Sequence, residues 1–264
     1  MVIIIISIVA GLSLIAAIIF LIKLHAGKEI LLDCFSAGNV IVFGKKGKGK
    51  DTIFNFVINN RKKQCYANIP YNKDLCIERS IKEFSVEPNT FENIIENNIT
   101  QIKKTNKEDT DYYISDAGSW LPSQYEGKLN KKYPSFPIYY ALSRHLTNSN
   151  IHCNSQYLGR VWSKIREQAD SYIMANGTIN ILGLFLITKF RYYELYTSAM
   201  SGMLPFKASS ISTSEIKAAA KDHEAKHGVI KDYIIIQPIK DLKYDTRYFH
   251  YRFYGKRAPN SKRI

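Results

Sequence analysis

Several features that define other classes of protein are missing from this sequence of 264 residues. Four cysteines, with no close pair and no CxxC motif, exclude a disulfide framework and a zinc knuckle. Neither an internal repeat nor a long linker rich in Pro, Gly or Ser divides the chain, so a single main domain is the simplest organisation. A content of 45% hydrophobic and 12% aromatic residues excludes disordered and collagen-like classes.

Acidic residues are also scarce, since 23 Asp and Glu stand against 37 Lys and Arg. The formal net charge is therefore +14. This balance predicts an anionic partner, which could be nucleic acid, a phosphate ligand or an acidic membrane surface. Charge alone does not choose among the three.

The start of the chain lacks ionisable side chains altogether, and Val2–Leu24 is an almost unbroken apolar run. Twenty-two uncharged residues rise about 33 Å as a helix, which matches the hydrocarbon thickness of a bilayer. The run is longer than the apolar part of a signal peptide and has no basic start. We therefore predict a transmembrane anchor over residues 1–24, with a buried core helix as the alternative. Lys23, His25 and Lys28 follow the run, so the positive-inside rule places the rest of the chain in the cytoplasm.

A glycine-rich loop, GKKGKGKDT, follows a strand predicted over Asn39–Phe43 and leads into a helical pattern. It matches the GxxxxGK motif, in which backbone N–H groups and a helix N-terminus bind phosphate. Lys50 is predicted to reach the terminal phosphates. Asp51 stands where Ser or Thr usually ligates Mg²⁺, and Thr52 comes one residue later. The alternative is a turn that contacts acidic surfaces in general. The residues predicted to bind the nucleotide are Gly44, Lys45, Lys46, Gly47, Lys48, Gly49, Lys50, Asp51 and Thr52.

A second short apolar strand is predicted over Tyr112–Ser115 and ends at Asp116. This is the pattern of a Walker B strand, whose carboxylate orients Mg²⁺. The next position, where Glu often acts on the attacking water, holds Ala117. Either another carboxylate such as Glu126 takes that role, or turnover is slow. The residues predicted to hold the metal are Asp51, Thr52 and Asp116.

A helix predicted over Tyr139–His145 and a strand predicted over Asn150–Ser155 continue the pattern of a parallel α/β sheet. Gln156 ends that strand and could position water or sense the γ-phosphate. Arg144 could complete the site of a neighbouring subunit as an arginine finger. Each could instead be an ordinary polar surface residue. The residues predicted to act in catalysis are Lys50, Asp116, Gln156 and Arg144.

Four segments together resemble the ATPase domain of the zonula occludens toxin (Zot-like) family, filamentous-phage assembly proteins of the FtsK/HerA group of P-loop ATPases. They are GKKGKGKDT, YYISDAGSWLPS, SRHLTNSNIHCNSQYLGRVWSKIREQADSYI and KYDTRYFHYRFYGK. The resemblance covers most of residues 38–256. Asp51 and Ala117 depart from the family's usual residues, and the anchor precedes the ATPase core, whereas in many relatives it follows.

The resemblance implies an α/β P-loop NTPase of the RecA-like type, with a mainly parallel central sheet and here one N-terminal transmembrane helix. It implies ATP and Mg²⁺ as cofactors and a homo-oligomer, for which a hexameric ring is one form. It also implies phage assembly at the host inner membrane, with phage DNA, coat or secretion-channel proteins and the host membrane as partners. Residues 1–24 are then the anchor, 25–256 the cytoplasmic ATPase domain and 257–264 a basic tail.

The main functional hypothesis is a membrane-anchored ATPase that couples ATP binding and hydrolysis to the export of phage DNA or virions. A nucleotide-binding membrane scaffold that does not hydrolyse ATP is one alternative, and a related DNA-translocating or packaging ATPase is another. A zinc protease is a third, since His223–His227 reads HExxH. The charged neighbours of that motif favour a solvated helix instead.

Two further segments carry predictions. Residues 176–200 are apolar and aromatic, but Thr188, Lys189 and Arg191 interrupt them, which favours a β-hairpin over a second membrane span. The segment from Lys243 to Ile264 mixes basic and aromatic residues. It is predicted to bind either single-stranded DNA or anionic lipid.

Overall fold

The computed structural model describes residues 2–69, 71–72, 74–78, 109–133, 136–194 and 232–242. Within these residues the helices are α1 (Val2–Ala37), α2 (Lys50–Arg61), α3 (Ala117–Trp120), α4 (Glu126–Lys132), α5 (Phe136–Thr147) and α6 (Ser163–Arg166). The strands are β1 (Val40–Phe43), β2 (Cys65–Ala67), β3 (Cys76–Glu78), β4 (Asp111–Ile114), β5 (Ile151–Ser155), β6 (Ser171–Ile181), β7 (Phe185–Tyr193) and β8 (Asp232–Pro238). A short 3-10 helix, Ile239–Asp241, follows β8.

The strands form one sheet in the order β3-β2-β4-β5-β1-β6-β7-β8. The strands from β3 to β6 in this order are all parallel, and β7 and β8 extend the sheet as antiparallel neighbours. Because parallel strands end at the same edge of a sheet, the segments after β1, β4 and β5 meet there. The predicted fold class, an α/β fold with a mainly parallel central sheet, is confirmed.

Alternate residues of the central strands point into two separate cores, as the pleat of a strand requires. Ile41 and Phe43 of β1 pack in the core that α5 covers, whereas Val40 and Val42 pack in the core covered by α1 and α2. All four side chains are fully buried. Helices therefore cover both faces, which explains why β1 is apolar throughout rather than alternating.

Helix α1 contains two different parts. Its first part bears exposed apolar side chains, such as Leu12 and Ile15, and Ser7–Ala37 includes a stretch long and apolar enough to cross a membrane. These side chains contribute nothing to the core of the described domain, in contrast to the alternative of a buried core helix. The helix continues without a break from this part to Ala37.

The second part of α1 packs on the sheet along one helical stripe. Gly27, Leu31, Cys34 and Phe35 are buried at helical spacing. At Gly27 the helix touches the backbone of β8, where an added Cβ would lie only 2.1 Å from the carbonyl oxygen of Ile234. A glycine at this position is what allows α1 to approach β8 so closely.

Side chains from three other elements cap the C-terminal end of α1. Arg61 donates to the Phe35 carbonyl at 2.8 Å, and Asn150 donates to the carbonyls of Phe35 and Ser36 at 3.3 and 3.2 Å. Arg144 donates to the carbonyl of Ala37. Since the last carbonyls of a helix have no partner within it, these bonds fasten α1 to the edge where the parallel strands begin.

An ion pair lies at the same edge. The carboxylate of Asp111, whose side chain is 2% exposed, pairs with Arg61, lies 3.5 Å from Lys63 and accepts the Asn150 backbone N–H. Such a buried carboxylate is stable only because it is paired and hydrogen-bonded. This network links α2, β4 and the start of β5.

The segment predicted as a β-hairpin is one in its described part. Strands β6 and β7 pair antiparallel from Tyr172↔Tyr193 to Ile181↔Phe185, with an irregularity between Ala175 and Gly177. Described residues 176–194 therefore contain no second membrane-spanning helix, as predicted.

Candidate functional site

The glycine-rich loop joins the end of β1 to the start of α2. Gly44 donates its backbone N–H to the Ser155 carbonyl at 3.2 Å, which ties the loop to the end of β5. Gly49 has φ +93°, and a Cβ there would lie 2.0 Å from the Thr178 hydroxyl oxygen of β6. The loop therefore needs glycine at Gly49 for both its left-handed backbone and its close approach to the hairpin.

The lysines of the loop differ in their surroundings. Lys45, Lys46 and Lys48 are exposed, whereas Lys50, the first residue of α2, is only 9% exposed. The Lys50 ammonium donates to the Lys45 carbonyl at 3.2 Å and makes no ion pair with a carboxylate in the described part of the chain. Burial lowers the pKa of Lys50, although the charges of Asp51 and Asp116 act in the opposite direction.

Asp51 is held by three donors from distant parts of the chain. Its Oδ1 accepts the Tyr71 hydroxyl at 2.8 Å, the Ser115 hydroxyl at 3.0 Å and the Asn154 amide at 2.8 Å. No hydrogen bond from the described residues reaches its other oxygen, Oδ2. The carboxylate is thus fixed in orientation with one oxygen left for a ligand.

Ser115 directly follows β4 and precedes Asp116, the predicted Walker B carboxylate. Its backbone exchanges two hydrogen bonds with the Asn68 side chain, at 2.7 and 2.9 Å, so its position is firmly set. In the usual motif the hydroxyl belongs to the phosphate loop and the carboxylate to the strand. Here the carboxylate of Asp51 follows the loop lysine and accepts the hydroxyl of Ser115, so between these two positions the hydroxyl and the carboxylate are reversed, while Asp116 stays in the predicted place.

Asp116 follows Ser115 and is half-buried, with a left-handed backbone at φ +53°. Its N–H donates to the Asn154 side-chain oxygen at 2.8 Å, and its Oδ2 accepts the Ser119 hydroxyl at 2.7 Å. Asn154 therefore contacts both Asp51 and Asp116. Tyr71, Ser115 and Asn154 were not predicted as parts of this site; for Asn154 the available signal was a run of polar residues in the predicted buried strand β5.

The other predicted site residues lie in three places. Thr52 is buried in the first turn of α2, with 4% exposure. Gln156 follows the end of β5, at the same edge as the loop, and is half-buried. Arg144 lies at the opposite edge of the sheet, where it contacts Ala37, so it does not join the site of its own chain. Glu126 accepts the Ser163 N–H at 2.9 Å and so caps helix α6.

The donors at the site suit a hard cation such as Mg²⁺. Asp51 and Asp116 offer carboxylate oxygens, and Mg²⁺ typically takes one or two carboxylates together with substrate phosphates and water. Among the residues that the structure describes, no group of three or more His, Cys, Asp or Glu could hold a metal by itself. The HExxH motif at His223–His227 and the segment from Lys243 to Ile264 lie outside the described residues.

Comparison with known proteins places the chain near two kinds of solved structure. No protein-family model matches it. No curated protein matches it either. It is similar to the N-terminal domain of zonular occludens toxin from Neisseria meningitidis, with 12% identity, coverage of 81% of this chain and 97% of that one, and a TM-score of 0.44.

It is also similar to the genome packaging NTPase B204 of Sulfolobus turreted icosahedral virus 2, solved in complex with AMP. The identity is 13%, the coverage is 79% of this chain and 95% of that one, and the TM-score is 0.38. At these TM-scores the functional conclusion rests on the site's own residues. The solved structures similar to this chain include a domain from the toxin family that its sequence resembles.

Proposed function

We propose that this chain is a membrane-anchored P-loop NTPase that binds ATP with Mg²⁺ at the edge where β1, β4 and β5 end. The observation that carries the proposal is the buried ammonium of Lys50, which makes no ion pair with the described residues, beside the fixed carboxylate of Asp51. A buried cation without a carboxylate partner is costly to the folded protein. A bound polyphosphate would supply the missing negative charge.

The loop offers what a phosphate needs. The loop leads into the N-terminus of α2 at this edge of the sheet, and a helix N-terminus attracts anions. The exposed side chains of Lys45, Lys46 and Lys48 add positive charge around the loop. On phosphate binding, the Lys50 ammonium would exchange the Lys45 carbonyl for phosphate oxygens.

Asp51 and Asp116 are the residues that would hold Mg²⁺, with Thr52 as a further predicted ligand. When bound, the ion neutralises phosphate charge. Asn154 keeps both carboxylates in position, since it contacts Asp51 through its amide nitrogen and the Asp116 backbone through its oxygen. Gln156, one residue beyond β5, would orient water or sense the terminal phosphate.

Hydrolysis is proposed to be slow, because Ala117 stands where a Glu often acts on the attacking water and Glu126 is engaged in capping α6. The same observation favours a second candidate, a scaffold that binds ATP and recruits partners without turnover. Phosphate release measured beside nucleotide binding separates the two.

The test uses the full chain and its binding of a fluorescent ATP analogue. Lys50→Ala is expected to abolish binding and Mg²⁺-dependent phosphate release. Lys131→Ala, which removes an exposed lysine of α4 outside the site, is the matched control and should bind as well as the wild type. Equal binding by Lys50→Ala and wild type contradicts the proposed site. Binding without phosphate release above the Lys50→Ala background assigns the scaffold role.

The anchor is proposed to be the exposed apolar part of α1, which puts the ATPase domain in the cytoplasm at the inner membrane of a host cell. Replacing Ile15 and Ile18 with lysine puts two charges within the span, at about 2.5–3.5 kcal/mol each. We expect that variant to leave the membrane fraction during alkaline extraction, while Ser36→Lys, beyond the span, stays in it. Release of the wild-type chain under the same conditions contradicts the anchor.

The cargo is proposed from the resemblance: assembly of a filamentous phage and export of its DNA or virions, with coat or secretion-channel proteins as partners. A DNA-packaging ATPase is the closest alternative. In either case the chain would act as a homo-oligomer, and a hexameric ring is one form that it could take. In such a ring Arg144 could reach the nucleotide site of a neighbouring copy. Small coat-like genes beside this one would favour phage assembly.

A further inference from the structure

The tip of the β6–β7 hairpin is an apolar surface that the fold leaves exposed. We define the hairpin tip as Ile179–Phe185. Its apolar side chains are exposed to 66% at Ile179, 89% at Leu182, 61% at Leu184 and 42% at Phe185. Single exposed apolar residues are common on proteins, but a contiguous group of large ones marks an interaction surface.

The turn itself is poorly suited to a hairpin in water. Leu182 and Gly183 both have positive φ, at +52° and +70°. Turns with positive φ at both central residues favour Asn or Asp at the first of them, because a large side chain is disfavoured in the left-handed region. Leu182 carries that conformational cost without gaining burial in the domain. A partner that accepts apolar side chains would explain both the residue and its exposure.

The hairpin tip lies beside the point where α1 leaves the domain. The Leu184 carbonyl accepts the Ile239 N–H at 2.8 Å, and Phe185 pairs with Pro238 in the sheet. Pro238 and Asp241 in turn line an open groove together with Leu21 and Leu24 of α1. The chain of contacts thus connects the tip to the last residues of the apolar run.

This is also the level at which the apolar run of α1 gives way to charge. His25 and Lys28 line the same groove, and Lys23, Lys28 and Lys240 are exposed around it. Exposed Glu29 and half-buried Asp241 are the acidic side chains of this region, so the lysines are in excess. Apolar side chains flanked by lysine are the composition of a surface that enters an anionic lipid interface.

We propose that the hairpin tip inserts into the headgroup region of the bilayer beside the anchor helix, giving the domain a second contact with lipid. The proposal rests on the membrane anchor proposed above. One helix alone leaves the domain free to swing about its exit point. A second contact would hold the domain in one orientation, with the hairpin that packs against Gly49 of the phosphate loop held at the membrane.

The test places an environment-sensitive fluorophore on the full chain in vesicles of phosphatidylcholine and phosphatidylglycerol. The label is attached at Leu184→Cys, and the native cysteines in the described residues are all buried. We expect blue-shifted emission and strong quenching by lipids that carry a nitroxide near the headgroup. The matched control is Ser36→Cys, an exposed position at the far end of α1, where we expect neither change.

A second variant tests the turn. Leu182→Asn in the Leu184→Cys background suits the positive φ, so it should raise the melting temperature of the protein while reducing the quenching by nitroxide lipid several-fold. Water-like emission from Leu184→Cys in vesicles overturns the proposal. So does a blue shift that requires no vesicles and grows with protein concentration, since it assigns the tip to contact between copies.

The same samples separate this inference from the proposed function. Loss of ATP binding with intact quenching contradicts the nucleotide site alone. Retained ATP binding in a chain that floats with the vesicles but shows a water-exposed tip contradicts the second lipid contact alone. A chain that does not float with the vesicles contradicts the anchor, and with it this proposal.

Discussion

The two edges of the sheet both contain buried charged side chains, but they use them differently. Where the parallel strands begin, Arg61 is paired with Asp111 and also donates to a helix carbonyl. Where the strands end, Lys50 donates to a loop carbonyl and makes no ion pair with the described residues, and no hydrogen bond from those residues reaches the second oxygen of Asp51. Charged residues that are paired internally stabilise the fold, whereas a buried lysine with no ion pair among the described residues is the feature on which the proposed ligand site rests.

The largest effect is expected at the paired edge. Asp111→Asn leaves the cation of Arg61 buried without its counter-charge, which should lower the free energy of unfolding by about 3–5 kcal/mol. Denaturant unfolding measures it. Asp109→Asn is the control, since the side chain of Asp109 is 68% exposed and its loss of charge should change stability little. If Asp111→Asn and Asp109→Asn lower the free energy of unfolding equally, the Arg61–Asp111 pair has no special role in stability, and the contrast with the other edge fails.

At the ligand edge, exchanging Asp51 and Ser115 tests their reversed roles. Asp51→Ser removes the acceptor of three hydrogen bonds and should cost about 1–3 kcal/mol of stability, together with most of the Mg²⁺-dependent gain in ATP affinity. Adding Ser115→Asp puts the hydroxyl in the loop and the carboxylate at the end of β4. The double variant should therefore recover much of the Mg²⁺-dependent gain in ATP affinity. ATP titrations with and without Mg²⁺ measure it. If Mg²⁺ raises the ATP affinity of the double variant no more than that of Asp51→Ser, a carboxylate at position 115 cannot replace one at position 51.

Lys50→Met should have opposite effects on binding and on stability. Because the ammonium is buried, its pKa is lowered in the folded protein, so the unfolded chain binds this proton more tightly. Wild-type stability therefore rises with pH between the folded and unfolded pKa values of Lys50. Removing the charge should slightly raise the melting temperature without nucleotide and abolish the rise that ATP produces. A lower melting temperature would indicate a mainly structural lysine.

The smallest effect concerns His152, which is fully buried at the paired edge between the rings of Phe35 and Tyr113. Burial holds its pKa well below the ordinary 6.5, and the charges of Arg61 and Lys63 lower it further. Below about pH 6.5 the unfolded chain gains a proton that the folded one does not, so stability falls by up to about 1.4 kcal/mol per pH unit.

His152→Phe should remove this part of the acid sensitivity. The measurement is the free energy of unfolding of both proteins between about pH 7.5 and about pH 5.5. His145→Phe, an exposed histidine of α5, is the control and should keep the wild-type dependence. An unchanged slope in His152→Phe would mean that other groups cause the loss.

Local patterns predicted much of the fold. The apolar strand before Gly44, the helix after Gly49 and the hairpin after residue 176 all lie where the sequence indicated them. Each depends on the spacing of neighbouring residues, which a sequence displays directly. Helix α1 continues past the predicted anchor to Ala37, and its second part packs on β8 at Gly27, a contact that the local pattern did not indicate.

The sequence by itself determined the apolar start of α1, the glycine-rich loop and the strand and helix on either side of it, because these depend on composition and short spacing. Only the tertiary structure decided what holds Asp51, since its donors lie 20, 64 and 103 residues away. It also placed Arg144 at the opposite edge and the hairpin tip beside α1. Contacts between distant segments follow from how the strands are ordered in the sheet, which no local pattern records.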